Sequence, residues 1–174
     1  MWYVVQVRTG DELKISNRLK LEVKADDEDI FVPLYERRKC VKGEWRRVTA
    51  PLFPGYIFFQ TNDVEGMYRR LYKIDAFTRV LKTGECYSPI APEEERFIET
   101  LTGNDHIVET SIGVIEGDKV IIKRGPLYGL EGSIVKINRH KRIATIRSDF
   151  MGGARDIKVG LEIVEKRPAK PDQQ

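Results

Sequence analysis

Side chains able to do covalent or metal chemistry are sparse, with two cysteines and two histidines in 174 residues. Cys40 and Cys86 lie far apart, with neither CxxC spacing nor a nearby histidine pair, so both read as unpaired thiols and not as a zinc or redox site. His106 and His140 stand equally apart from any carboxylate or cysteine arrangement whose spacing marks a metal or catalytic centre. No enzyme signature emerges, and no cofactor or metal is expected.

The chemistry the chain does offer is electrostatic. Residues 1–112 carry 17 Lys and Arg against 19 Asp and Glu, and residues 113–174 carry 13 against 8, so the net +3 divides into −2 and +5. The basic part is the better candidate for phosphate contact. Its densest run is Lys136-Ile137-Asn138-Arg139-His140-Lys141-Arg142, with Lys123, Arg124, Arg147, Arg155 and Lys158 beside it in the chain. Four cations and a histidine on a hairpin tip can track phosphates, each neutralised phosphate adding about one unit of salt slope. A solvated loop that only keeps the domain soluble is the competing reading.

The surrounding pattern must position these charges. Trp2 to Val7 reads as a central strand, apolar on both faces at its start. Asp11 to Lys24 places Leu13, Ser16, Leu19 and Val23 at helical spacing, with Asp11 near the N-terminus of that helix. Ile30 to Tyr35 is extended, and Tyr35 to Ala50 forms a charged hairpin turning at Lys42-Gly43, with Arg37, Arg38, Lys39, Arg46 and Arg47 on its arms. Those cations read either as edge-strand protection or as nucleic-acid contacts. A proline-glycine turn leads into the strand Tyr56 to Phe59; Asn62 and Glu65 then form a capping-box pattern for a helix over 63–73. Phe77 to Leu81 suggests another strand, and Pro92 followed by three glutamates starts a third helix, burying Phe97, Ile98 and Leu101.

Periodicity fades over 103–113, where the interdomain linker is expected. From Gly117 short β-type runs, Lys119 to Lys123, Gly132 to Asn138, Ile143 to Arg147 and Ala154 to Val159, alternate with turn signals, as in a small antiparallel barrel. Residues 167–174 read as a disordered tail. No apolar run approaches the roughly 18–20 residues of a membrane span, and the start lacks the features of a secretory signal, so a cytoplasmic protein with no membrane association is expected.

Gly117-Asp118-Lys119-Val120, Gly125-Pro126-Leu127-Tyr128-Gly129 and Gly132, with Ile134 and Ile137, resemble the KOW motif over nearly all of residues 115–166. The order in front of it, a Trp2-Tyr3 strand, a helix, a charged hairpin, the Phe53-Pro54-Gly55-Tyr56 strand, a helix and Arg79-Val80-Leu81, is similar to the N-terminal domain of NusG-type elongation factors. The resemblance implies an α+β chain: an NGN domain over 1–102, an antiparallel sheet flanked by helices, and an SH3-like KOW β-barrel over 114–166. It also implies a non-catalytic monomer whose NGN domain binds the clamp helices of RNA polymerase through Tyr56 and Phe58, with Phe53 and Leu81 as weaker matches. Arg8, with Thr9, occupies the loop that faces non-template DNA in such factors. The KOW domain of a general factor would dock Rho or ribosomal protein S10, with Phe150 as anchor. The basic Lys136 to Arg142 loop is instead similar to the LoaP group of paralogues, antiterminators that recognise a leader RNA hairpin. A ribosome-associated KOW protein is the third reading.

Overall fold

The computed structural model describes residues 1–74, 79–80, 82–83, 86–87 and 89–169. Along the chain run β1 (Trp2–Gln6), α1 (Glu12–Glu22), β2 (Asp29–Phe31), β3 (Leu34–Val41), β4 (Glu44–Pro51), β5 (Tyr56–Gln60), α2 (Val64–Leu71), β6 (Arg79–Val80), β7 (Lys82–Thr83), β8 (Cys86–Tyr87) and α3 (Pro92–Thr102). There follow β9 (Ile107–Val108), β10 (Ser111–Glu116), β11 (Lys119–Arg124), a 3-10 turn (Glu131–Ser133), β12 (Ile134–Asn138), β13 (Ile143–Phe150) and β14 (Gly153–Arg167). By contact the chain forms two compact units, Met1–Pro33 with Phe53–Ile98, and Leu34–Leu52 with Glu99–Gln174. Among the described residues no helix is long and apolar enough to cross a membrane.

The first unit is built on a sheet of order β2-β5-β1-β6, with every pairing antiparallel. β1 is central, as its apolar residues on both faces require. Alternation divides the sheet: Val4 pairs with Phe58 and Phe58 with Phe31 on one face, while Tyr3 pairs with Phe59 and Val5 with Ile57 on the other. The first face holds an aromatic cluster, Trp2 edge-on to Phe31 at 4.9 Å, Phe31 stacked on Phe58 at 5.6 Å, and Phe53 5.7 Å from Phe58. The buried stripe of α1 is Glu12, Ser16 and Leu19, while Leu13, expected inward, is 48% exposed. Glu12 is buried because its carboxylate accepts the Gly10 N–H at 2.8 Å and the Gly55 N–H at 2.7 Å, joining two loops; Asp11 makes no side-chain cap. The cap of α2 is likewise Asp63, accepting from the Gly66 N–H at 2.9 Å, and not Asn62. Met67 and Leu71 form its buried face, and Tyr72 lies in solvent. Of the strand expected over Phe77 to Leu81 only Arg79–Val80 is described, and Phe77 and Leu81 lie outside the described residues.

The second unit centres on a five-stranded sheet of order β11-β10-β14-β13-β12. Four strands were expected; β10 adds a fifth and pairs parallel with the far half of β14. This is possible because β14 runs for 15 residues and serves β13 with its first half and β10 with its second. The segment 103–113, expected as a linker, carries β9 and the first residues of β10; Ile107 and Val108 lie parallel to Leu34 and Tyr35, and the Leu34 N–H donates to the His106 carbonyl at 2.9 Å. Likewise β14 continues through Arg167 at the start of the expected tail, and residues 170–174 lie outside the described residues. The barrel core is Val114, Ile122, Leu127, Ile146, Ile157, Val159 and Leu161. Gly125, at φ +106°, is required twice over, because a Cβ there would sit 2.6 Å from both Cα and Oγ of Ser111. Its turn lets Leu127 plug the barrel, the Leu127 N–H donating to the buried Ser111 Oγ at 3.0 Å.

The β3–β4 hairpin belongs to this second unit. Lys42 (φ 52°) and Gly43 (φ 83°) both take the left-handed conformation of a two-residue hairpin turn, as the sequence predicts. Gly160 of β14 allows the hairpin to approach, since a Cβ there would collide with the Glu36 carbonyl. Thr110 Oγ1 donates to Glu36 at 3.2 Å on the same side.

Candidate nucleic-acid interface

The turn between β12 and β13 is locally self-determined. Asn138 Oδ1 accepts the Lys141 N–H at 2.9 Å, the Arg142 N–H donates to the Arg139 carbonyl at 3.2 Å, and Arg142 adopts φ 53°. The side chains of Arg139, His140 and Lys141 therefore project from the tip and are exposed. Arg142 behaves differently. Its Nη1 donates to Glu162 Oε1 at 3.1 Å, and its guanidinium lies 4.0 Å from the centroid of the Trp45 ring on the hairpin. Arg38 of β3 approaches the same Glu162 at 3.9 Å. Arg142, expected as a phosphate contact, is thus a half-buried strut between turn, strand and hairpin.

Strand register places the remaining cations. Lys136 lies opposite Thr145, and Thr145 opposite Lys158, so both lysines share one face of the sheet and both are exposed. Arg147, in the next row, is bound by Asp156 through Nε–Oδ1 at 2.9 Å and Nη2–Oδ2 at 3.3 Å. The Arg147 hydrogen bond holds the Asp156 carboxyl below its usual range, and Asp156 raises Arg147 in turn. Arg155, opposite Ser148, is exposed. Lys123 and Arg124 are exposed on β11, at the other end of the strand order, where Lys123 acts electrostatically on Glu165. The structure therefore gathers Lys136, Arg139, Lys141 and Lys158 as accessible charge, with the exposed His140 between two of them, and commits Arg142 and Arg147 to acidic partners.

Three expected protein anchors are core residues. Phe58 is wholly buried, Phe53 is 6% exposed and Phe150 is 2% exposed. Phe58 and Phe150 sit in strands whose inner face needs a large apolar residue, Phe53 lies in the bend before β5 and packs on Phe58, and Phe150 pairs with Gly153 at the closed end of the β13–β14 hairpin. The turn itself is Met151-Gly152, both at positive φ. Tyr56 is half-buried at the start of β5, and Leu81 lies outside the described residues. Arg8 is exposed in the loop after β1, its carbonyl accepting the Asp11 N–H at 3.1 Å.

The family model described as transcription termination factor nusG matches residues 1–99, and the KOW motif matches residues 116–147. The chain belongs to the NusG family. Curated relatives agree in length as well as order. The transcription termination/antitermination protein NusG of Halalkalibacterium halodurans is 26% identical over 95% of this chain and 97% of its own, and that of Lactococcus lactis is 27% identical over 94% and 91%. A solved structure described as "Domain interaction in Thermotoga maritima NusG" superposes with a TM-score of 0.57 at 21% identity, covering 93% of both chains, and shows the shared fold.

Within the family frame, sequence reasoning missed Trp45 and Glu162. An indole within the charged hairpin arm, between Glu44 and Arg46, was a signal for the first; the second carries none, since Glu162 and Glu165 look alike until β14 is paired.

Proposed function

We propose that this NusG-family protein is a processive antitermination and elongation factor that engages RNA polymerase through its first unit and a structured leader RNA through the barrel, in the manner of the LoaP group. The observation that carries the RNA half is the exposed tip Arg139-His140-Lys141, flanked by Lys136 and Lys158, whose cations, unlike Arg142 and Arg147, form no ion pair with a carboxylate among the described residues. A small barrel can lay such a tip beside a helical groove and read its shape. The polymerase half is supported by the relatives' names, termination/antitermination proteins, and by Tyr56 as the aromatic left accessible at the β5 start. The role is non-catalytic and belongs in the cytoplasm with the transcription machinery.

The reading in which the barrel docks Rho or ribosomal protein S10 receives less support, because its anchor Phe150 is buried. The test uses the whole chain. Binding to a stem-loop RNA should weaken with salt, and R139A combined with K141A should lower the logarithmic salt slope by about two, near one unit per lost phosphate contact. Equal affinity for scrambled stem-loops ends the sequence-selective version. Tyr56→Ala should weaken co-purification with RNA polymerase while leaving RNA affinity alone.

A further inference from the structure

Trp45 carries the Arg142 strut on its ring, yet that contact leaves much of the indole uncovered. It stands on β4 between Glu44 and the cations Arg46 and Arg47, opposite Cys40, and is 45% exposed. The next pair on the same face is Arg38 opposite Arg47, and on the other face Lys39 lies opposite Arg46. Like charges directly across a ladder oppose pairing, and carboxylates of the chain offset them here: Arg38 approaches Glu162 at 3.9 Å, Arg46 pairs with Glu44 at 2.9 Å and Arg47 approaches Glu36 at 3.8 Å. One ring face of Trp45 carries the Arg142 guanidinium at 4.0 Å, which Glu162 holds from behind at 3.1 Å. The indole is therefore fixed in orientation while nearly half its surface stays accessible. Arg139, His140 and Lys141 project from the same turn as Arg142.

We infer that Trp45 is an aromatic platform on which an unpaired base of the bound RNA stacks, with the Arg139 to Lys141 tip holding the adjoining phosphates. An accessible π-face beside a cationic track is the combination by which proteins hold unpaired nucleotides, and it tolerates any base. A guanidinium beneath the ring adds to the rigidity of the platform and places positive charge below the stacked base. The inference rests on the RNA-binding reading above and extends it in two ways. It brings the hairpin of residues 34–51 into the barrel's site, and it specifies the substrate as a stem with unpaired nucleotides in place of a continuous duplex. No covalent step is involved.

The chain contains two tryptophans, and Trp2 is shielded at 2% exposure, so an RNA-dependent change in emission reports Trp45. The probes are a stem-loop RNA with an unpaired purine loop and the same RNA with abasic loop nucleotides, which keeps every phosphate. Wild-type chain should bind the intact probe with quenched emission and the abasic probe roughly tenfold more weakly without quenching. Trp45→Ala should lose roughly tenfold affinity for the intact probe and show no difference between the two. Trp45→Phe should retain most of the affinity, and its residual Trp2 emission should be unchanged by RNA. Equal wild-type affinity for both probes with unquenched Trp45 overturns the platform while leaving the RNA-binding reading standing. Absence of binding to either probe overturns both. The wild-type comparison needs no substitution, so a folding defect in Trp45→Ala cannot decide the outcome.

Discussion

Phe150 and Glu28 show how a residue's surroundings change what its substitution reports. Phe150 fills the barrel, so Phe150→Ala should cost about 3–5 kcal/mol in urea or thermal unfolding, whereas an exposed anchor would cost within about 0.5 kcal/mol. Any loss of a partner in that variant would then report unfolding. Glu28 is 6% exposed and accepts from the Ala25 N–H at 2.9 Å, from Thr61 Oγ1 at 2.8 Å and from the Arg70 guanidinium. Burial pushes its carboxyl up, but the hydrogen bonds from Ala25, Thr61 and Arg70 and the Arg70 charge outweigh this and hold it below the usual glutamate range. With the folded value depressed, the unfolded chain takes the proton first. The stabilisation is therefore complete above the ordinary glutamate range and drains away as pH falls through the folded value. Glu28→Gln should lose about 2 kcal/mol at neutral pH and flatten the acid limb of a stability profile measured by urea melts. An unchanged acid limb would place the acid sensitivity elsewhere.

At the scale of elements, the decisive contact is backbone to backbone. β3 lies against β14 because Gly160 has no Cβ to meet the Glu36 carbonyl, and the cluster of Arg38, Arg142, Glu162 and Trp45 holds the neighbouring surface. Gly160→Ala should therefore destabilise the chain by more than about 1 kcal/mol, because neither backbone can move independently of its ladder. Gly132→Ala is the matched control, with nothing within 4 Å of its added Cβ, and should stay within about 0.5 kcal/mol. The hairpin was legible in outline, since Lys42-Gly43 dictates a tight turn between charged arms. Its docking was not, because the Gly160 contact joins segments more than a hundred residues apart and no local period encodes it.

At the scale of the whole molecule, contact and sequence order divide the charge differently. Assigning residues 34–52 and 99–112 to the second unit leaves 11 Lys and Arg against 14 Asp and Glu in the first and 19 against 13 in the second, so the net charges become −3 and +6. The basic character assigned to the C-terminal half is thus reinforced by the hairpin. A fragment of residues 103–174 lacks that cover over Gly160. Its Leu161 amide, bonded to the Arg142 carbonyl at 3.0 Å in the full chain, should exchange with deuterium faster than in the intact protein. Equal protection would mean that the barrel does not depend on the hairpin.

The sequence by itself determined the element order outside residues 103–113, the glycine framework from Gly117 to Gly132 and the cationic tip at Arg139 to Arg142, because these depend on neighbours along the chain. Only the tertiary structure decided which members of that set are accessible. Period-two alternation separates Phe58 from Ile57 but cannot say that both faces of β5 are covered, and a run of four cations cannot say that Arg142 is held by Glu162 under Trp45. Burial and ion pairing are set by partners distant in sequence, and those partners meet only when the sheets have closed.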